Sequence, residues 1–186
     1  MRQNFHLHGS ERRYRGQLVR KKGSRELSFT LHNVGDGPGV VDAETLATDS
    51  EYVLAVLLGS HYCPASRALV KALADADERF RERSTAVVPV LPDVRERARL
   101  WDDQYDPPFP LLVDPEDGDG DGDGFEAFGP LRDELGDLPG VGLFADAGGR
   151  LVVVDSWSVE GDPPSVESLL ARLDAHLEEG GTHKEE

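Results

Sequence analysis

At 186 residues the chain is long enough for one full domain with a core of its own, and 36 acidic against 20 basic residues give it a formal net charge of −16. Such a surface repels phosphate backbones, which argues against nucleic-acid binding. No apolar run reaches the roughly 18 residues of a membrane span, and the N-terminus lacks the apolar core of a signal peptide. The lone cysteine, Cys63, excludes an internal disulfide and makes any thiol chemistry depend on an outside partner. We therefore expect a soluble, cytoplasmic protein, with an acidic, lysine-poor surface suited to a salt-rich cell interior.

In chain order, residues 1–24 are polar and basic, with Arg2, Arg12, Arg13, Arg15, Arg20, Lys21 and Lys22. They read as a loosely held arm with a short strand near Gln17–Val19; the alternative is a docking arm for an acidic partner or for the acidic body of the chain. A domain is expected over residues 25–178. Leu27, Phe29 and Leu31 alternate with polar residues, the Gly35–Gly39 stretch is a strong turn, and Val40–Val41 starts a return strand, so an N-terminal β-hairpin is expected. Val53–Leu58 is an uninterrupted apolar run, as in a central strand buried on both faces. Cys63 follows after a tight turn, and Pro64 suits the first position of a helix because its missing N–H is one the helix has no use for. Cys63 is then the N-cap, where orphan N–H groups and the positive end of the helix dipole favour a thiolate.

That helix should run to about Arg83 with Leu69, Val70, Leu73, Ala76 and Phe80 inward. Ala86–Leu91 is a second apolar run; Pro89 removes a ladder donor, so this strand is expected at an edge, bulged or short. Asp93 is expected to cap a helix through about Tyr105, with Val94, Ala98, Leu100 and Trp101 inward. A short strand follows at Leu111–Val113. Residues 117–124 are four Asp-Gly pairs, but a calcium loop counted from Asp117 needs a bidentate Glu where Phe128 stands, so they read as an acidic surface insertion and no metal is expected. A helix over Phe125–Leu135, a hairpin of Val141–Ala145 with Arg150–Val154, and a last helix capped by Ser165 complete the pattern. That helix carries Val166, Leu169, Leu170, Leu173 and Leu177 on one stripe and ends at Gly180 and Gly181; residues 179–186 are expected to be a disordered tail.

Alternating strands and helices imply an α/β fold: a mixed central sheet flanked by helices. Over Glu26–Leu177 the chain resembles the thioredoxin-like fold, and within it the peroxiredoxin-like branch, the alkyl hydroperoxide reductase and thiol-specific antioxidant group. The carriers are LSFTLHNVGDG, YVLAVLLGSHYCPAS, PFPLLVDPE and LPGVGLFADAGGRLV, in that order. The resemblance implies a reactive Cys63 that attacks a peroxide or a disulfide. Ser60 matches the residue that orients the peroxide, Pro139 the cis-proline that holds substrate backbone beside the thiol, and Ser66 the position of a resolving cysteine. Arg67 and His61 would supply positive charge. Two positions depart from the pattern: Val56 stands where a proline is expected and Val141 where an arginine is. No cofactor is implied. The implied partners are a peroxide or disulfide substrate and an external thiol reductant, thioredoxin-like or a small thiol. The alternatives are a scaffold of this fold that binds a protein partner without catalysis, and a monothiol C-x-x-S exchange protein.

Overall fold

The strand β4 (Tyr52–Leu57) is the axis of the structure, and all of its residues are buried. A run with no polar face has none to give to water, so it belongs between other strands, under helices on both sides. The computed structural model describes residues 26–59, 63–115, 125–158 and 164–181. The predicted arm, Ser60, His61 and the Asp-Gly run lie outside the described residues.

β5 (Thr85–Leu91) pairs with β4 in parallel, and β7 (Gly140–Asp146) pairs with it antiparallel on the other side. β6 (Leu112–Val113) continues in parallel beyond β5, and then comes the predicted hairpin of β2 (Thr30–Asn33) and β3 (Val40–Asp42). On the other flank β8 (Leu151–Ser158) pairs with β7, and β1 (Glu26–Leu27) pairs with β8. The sheet therefore has eight strands in the order β1-β8-β7-β4-β5-β6-β2-β3. Tyr52, Leu54, Val56 and Leu58 face a core shared with α2 (Pro64–Asp75), α3 (Asp77–Arg81), α4 (Arg95–Tyr105) and α6 (Val166–Gly181). Val53, Ala55 and Leu57 face the opposite core, closed by α1 (Ala43–Asp49) and α5 (Gly129–Leu135).

The sheet must curl. Leu27 of β1 pairs with Leu151 while Thr30 of β2 pairs with Asp42, six strand spacings away in the sheet order. A flat sheet would put β1 and β2 about 29 Å apart, yet the three Cα-to-Cα steps from Leu27 to Thr30 reach at most about 11 Å. Phe29, in that link, is buried in the α1/α5 core, where its ring centroid lies 5.2 Å from that of Phe128. The link thus plugs the concave face as it crosses it.

Several expectations are corrected. Leu27–Leu31 is not one strand but the ends of β1 and β2, because Phe29 turns into the core. α1 was not foreseen; Asp42 caps it by accepting the Thr45 N–H at 2.7 Å. The helix after Cys63 breaks at Ala76 (φ −105°, ψ 5°) into α2 and α3, although Ala76 and Phe80 are buried as expected. β5 is neither short nor at an edge. In a parallel strand, successive residues turn their N–H and C=O to opposite neighbours. The Val90 carbonyl accepts from Leu58 on the β4 side, so Pro89 presents its nitrogen to the side of β6, which begins pairing only at Val90. Little ladder is lost.

Asp93 does not cap α4. Its carboxylate accepts the N–H of Val94, and Val94 takes the N-cap position without a side-chain bond. Ala98 and Trp101 are inward, but Val94 and Leu100 are 46% and 64% exposed. α5 starts at Gly129 rather than Phe125, and α6 continues through Gly181, so Gly180 and Gly181 lie in its last turn. Ser165 does cap α6: its Oγ accepts the Ser168 N–H at 3.1 Å.

Candidate functional site

The turn from β4 into α2 places Cys63 where the sequence predicts it. Cys63 is the extended N-cap of α2 (φ −67°, ψ 111°), Pro64 opens the helix, and the sulfur accepts the Ser66 N–H at 3.5 Å. The residue is half-buried and carries a free thiol. One orphan N–H of the helix end is thus turned onto sulfur.

Ser66 is fully buried, and its role in the turn differs from that of a surface cap. Its Oγ accepts the N–H of Gly59 at 2.8 Å, bridging the end of β4 to the first turn of α2. Gly59 itself lies against the thiol: a Cβ there would stand 3.1 Å from the Cys63 Cβ and 3.2 Å from its Sγ. Gly59 therefore permits the close approach of strand and cysteine, a requirement that the sequence signals only as a glycine after an apolar run. Arg67 is half-buried one residue further along α2, with its backbone N–H donating to the Cys63 carbonyl at 3.2 Å.

Pro139 is buried, and the Leu138–Pro139 peptide bond is cis, as expected. The next residue, Gly140, pairs with Leu57, so the proline flanks the end of β4 that leads into the cysteine turn. Val56 and Val141, the two positions at which the sequence departs from the resemblance, are cross-strand partners, each fully buried. They form one apolar pair in the core that α2 shares. Ser60 and His61 lie outside the described residues. The structure thus brings together Cys63, Ser66, Gly59 and the backbone of Arg67, and puts Pro139 on the adjoining strand. Among the described residues, no group of His, Cys, Asp and Glu side chains has the arrangement of a metal site.

The fold is shared with known structures. The crystal structure of reduced 2-Cys peroxiredoxin from Plasmodium vivax matches with a TM-score of 0.66 and 18% identity, over 84% of this chain and 96% of that one. A protein from Chlorobium tepidum described as a thiol:disulfide interchange protein DsbE matches with a TM-score of 0.59 and 17% identity, over 86% and 97%. The yeast mitochondrial 1-Cys peroxiredoxin matches with a TM-score of 0.60 and 12% identity, over 83% and 76%. A scan of protein-family models finds no match, and neither does a search of curated proteins. The fold is therefore thioredoxin-like, expanded here to an eight-stranded curled sheet.

Proposed function

We propose that this protein is a thiol redox protein of the peroxiredoxin-like group that reduces peroxides or disulfides through Cys63. The observation that carries the reading is the half-buried Cys63, the N-cap of α2, whose sulfur lies 3.5 Å from the Ser66 nitrogen between the central strand and the helix. With a peroxide, the thiolate attacks one oxygen: the S–O bond forms, the O–O bond breaks, and the departing oxygen takes a proton. With a disulfide, it forms a mixed disulfide and releases a thiol. Ser66 replaces a resolving cysteine, so both products are returned to thiol by an external reductant, either a thioredoxin-like protein or a small thiol. In this reading Ser66 and Gly59 position the sulfur, Pro139 flanks the substrate, and Ser60 and Arg67 supply hydrogen bonding and charge. The acidic, lysine-poor composition is consistent with a salt-rich cytoplasm.

A sulfenic-acid probe tests the peroxide arm. Peroxide-treated wild type should be labelled at Cys63 and Cys63→Ala should not; equal absence of label at every dose sinks it. The disulfide arm predicts mixed disulfides between Cys63 and client thiols that persist until a small thiol is added.

A second reading, a binding scaffold without catalysis, is favoured by the Val56–Val141 pair, which replaces the guanidinium that stabilises charge in the family pattern. Absence of both sulfenic acid and mixed disulfide would favour it.

A further inference from the structure

Among the described residues the exposed large apolar side chains are Val40, Val94 and Leu100, and all three belong to one corner of the fold, α4 and the edge strand β3. Three basic residues stand in the same corner, Arg95, Arg97 and Arg99, in a chain that carries 12 bases against 35 acids beyond residue 25. Arg97 is paired with Asp93 at 3.4 Å, and Glu96 is the one acid between Val94 and Leu100. Arg95 and Arg99, one turn apart on α4, have no carboxylate partner among the described residues; Arg95 Nη1 lies 3.5 Å from His32 Nδ1.

The register brings this corner to the cysteine's end of the sheet. β4 and β5 are parallel neighbours, so the chain leaves both at the same edge, from β4 into the turn that ends in Cys63 and from β5 into α4. Leu58, one residue past β4, donates its N–H to the Val90 carbonyl. From Leu91 beside it the row continues through Val113 and His32 to Val40. Paired residues project to one face of a sheet, and Leu58, Leu91 and Val113 lie in the core that α2 and α4 cover. His32 and Val40 extend that face outward as an exposed shelf beside the start of α4.

We propose that this shelf is where a protein reductant of Cys63 docks, one that surrounds its own thiol with carboxylates and a small apolar patch. The inference rests on the redox reading, in which an outside thiol must meet Cys63 in every turnover. Arginine and exposed apolar side chains are what interfaces concentrate, and opposite charge speeds encounter. Two copies of this chain meeting shelf to shelf would set basic patch against basic patch, which argues for a different protein. Once docked, a partner thiolate attacks the Cys63 sulfur, displacing a client thiolate from a mixed disulfide, or hydroxide from a sulfenic acid. The partner's second thiolate then attacks the partner's own sulfur and releases Cys63. The partner ends as a disulfide, and its two protons pass to Cys63 and to the departing thiol or water.

Loading Cys63 as its 2-thiopyridyl mixed disulfide, then timing chromophore release by dithiothreitol and by a thioredoxin of acidic surface, tests the proposal. Arg95→Glu with Arg99→Glu should lower the thioredoxin rate about tenfold relative to the dithiothreitol rate at low salt. Arg150→Glu, a reversal at the far end of the sheet, should leave that ratio as in wild type. Val40→Ser with Val94→Ser should lower it severalfold even at about 1 M salt, where the Debye length is about 3 Å. A ratio unchanged in both double variants would overturn the docking proposal and leave the redox reading standing. A Cys63 that cannot be loaded, or that neither thiol releases, would sink the redox reading and the docking with it. A wild-type dimer broken by Arg95→Glu would also overturn the proposal, since a second copy would then fill the shelf.

Discussion

Asn33 uses every hydrogen-bonding position it has. Its amide donates to the carbonyls of Asp36 and Pro38, both at 2.8 Å, and its Oδ1 accepts from Gly35 and Leu111, both at 2.9 Å. The residue is buried, so none of these bonds is replaced by water if the side chain is lost. Gly35 next to it is equally constrained, because a Cβ there would sit 2.6 Å from the Leu111 nitrogen and 2.7 Å from the Phe109 oxygen. Asn33→Asp swaps the two donors for an acceptor facing two carbonyls. It should lower unfolding free energy by about 2–4 kcal/mol in urea titration, with m unchanged. The sequence marked this stretch only as a glycine-rich turn. Its composition shows that the chain reverses, but not that the reversal docks on Leu111, 78 residues away. Cys63 was legible for the converse reason: an apolar strand, a cysteine and Cys-Pro at a helix start are all local signals.

Between elements, α6 is tied to the α3 region by two ion pairs, from arginines one helical turn apart to carboxylates two turns apart. Arg79 donates to Glu167 at 2.7 Å, and Arg83 donates to Asp174 at 2.7 Å. The Arg83 guanidinium, through its hydrogen bonds, holds the Asp174 carboxyl below its ordinary pKa, and Arg79 does the same for Glu167. A carboxyl lowered on folding adds stability above its unfolded pKa and loses it as pH falls through the folded value. Asp174→Asn should thus cost about 0.5 kcal/mol at pH 7, the worth of a screened surface pair. The difference in Tm from wild type should close as the pH is taken toward 3; a constant difference would show that charge is not its source. Asp77 runs the other way: burial pushes its carboxyl up against the opposing pull of Arg81, so acid relieves a cost there. Element identity was largely legible here, since α2, β4, the β7–β8 hairpin and α6 carry long periodic patterns. The failures came where tertiary contact overrides pattern: Pro89 turned toward a two-residue neighbour, and Phe29 diverted from a strand into the core.

At the scale of the whole molecule, 35 acids against 12 bases beyond residue 25 make self-repulsion the leading long-range electrostatic term. Raising salt from about 0.1 M to 1 M shortens the Debye length from about 10 Å to about 3 Å. The folded state should gain, with Tm rising by about 2–4 °C for each kcal/mol of relieved repulsion; a Tm that falls with KCl would mean that the surface ion pairs outweigh the repulsion. The curled sheet carries a different consequence, for self-association. Long unpaired sheet edges are templates on which a second chain adds strands, the route to domain swapping and fibrous aggregation. Here the outermost strands of the described sheet are β1, with two residues, and β3, with three. At the β3 end this wide sheet therefore offers an edge too short to nucleate that growth, while at the other end the two-residue link to β2 holds β1 to the curl.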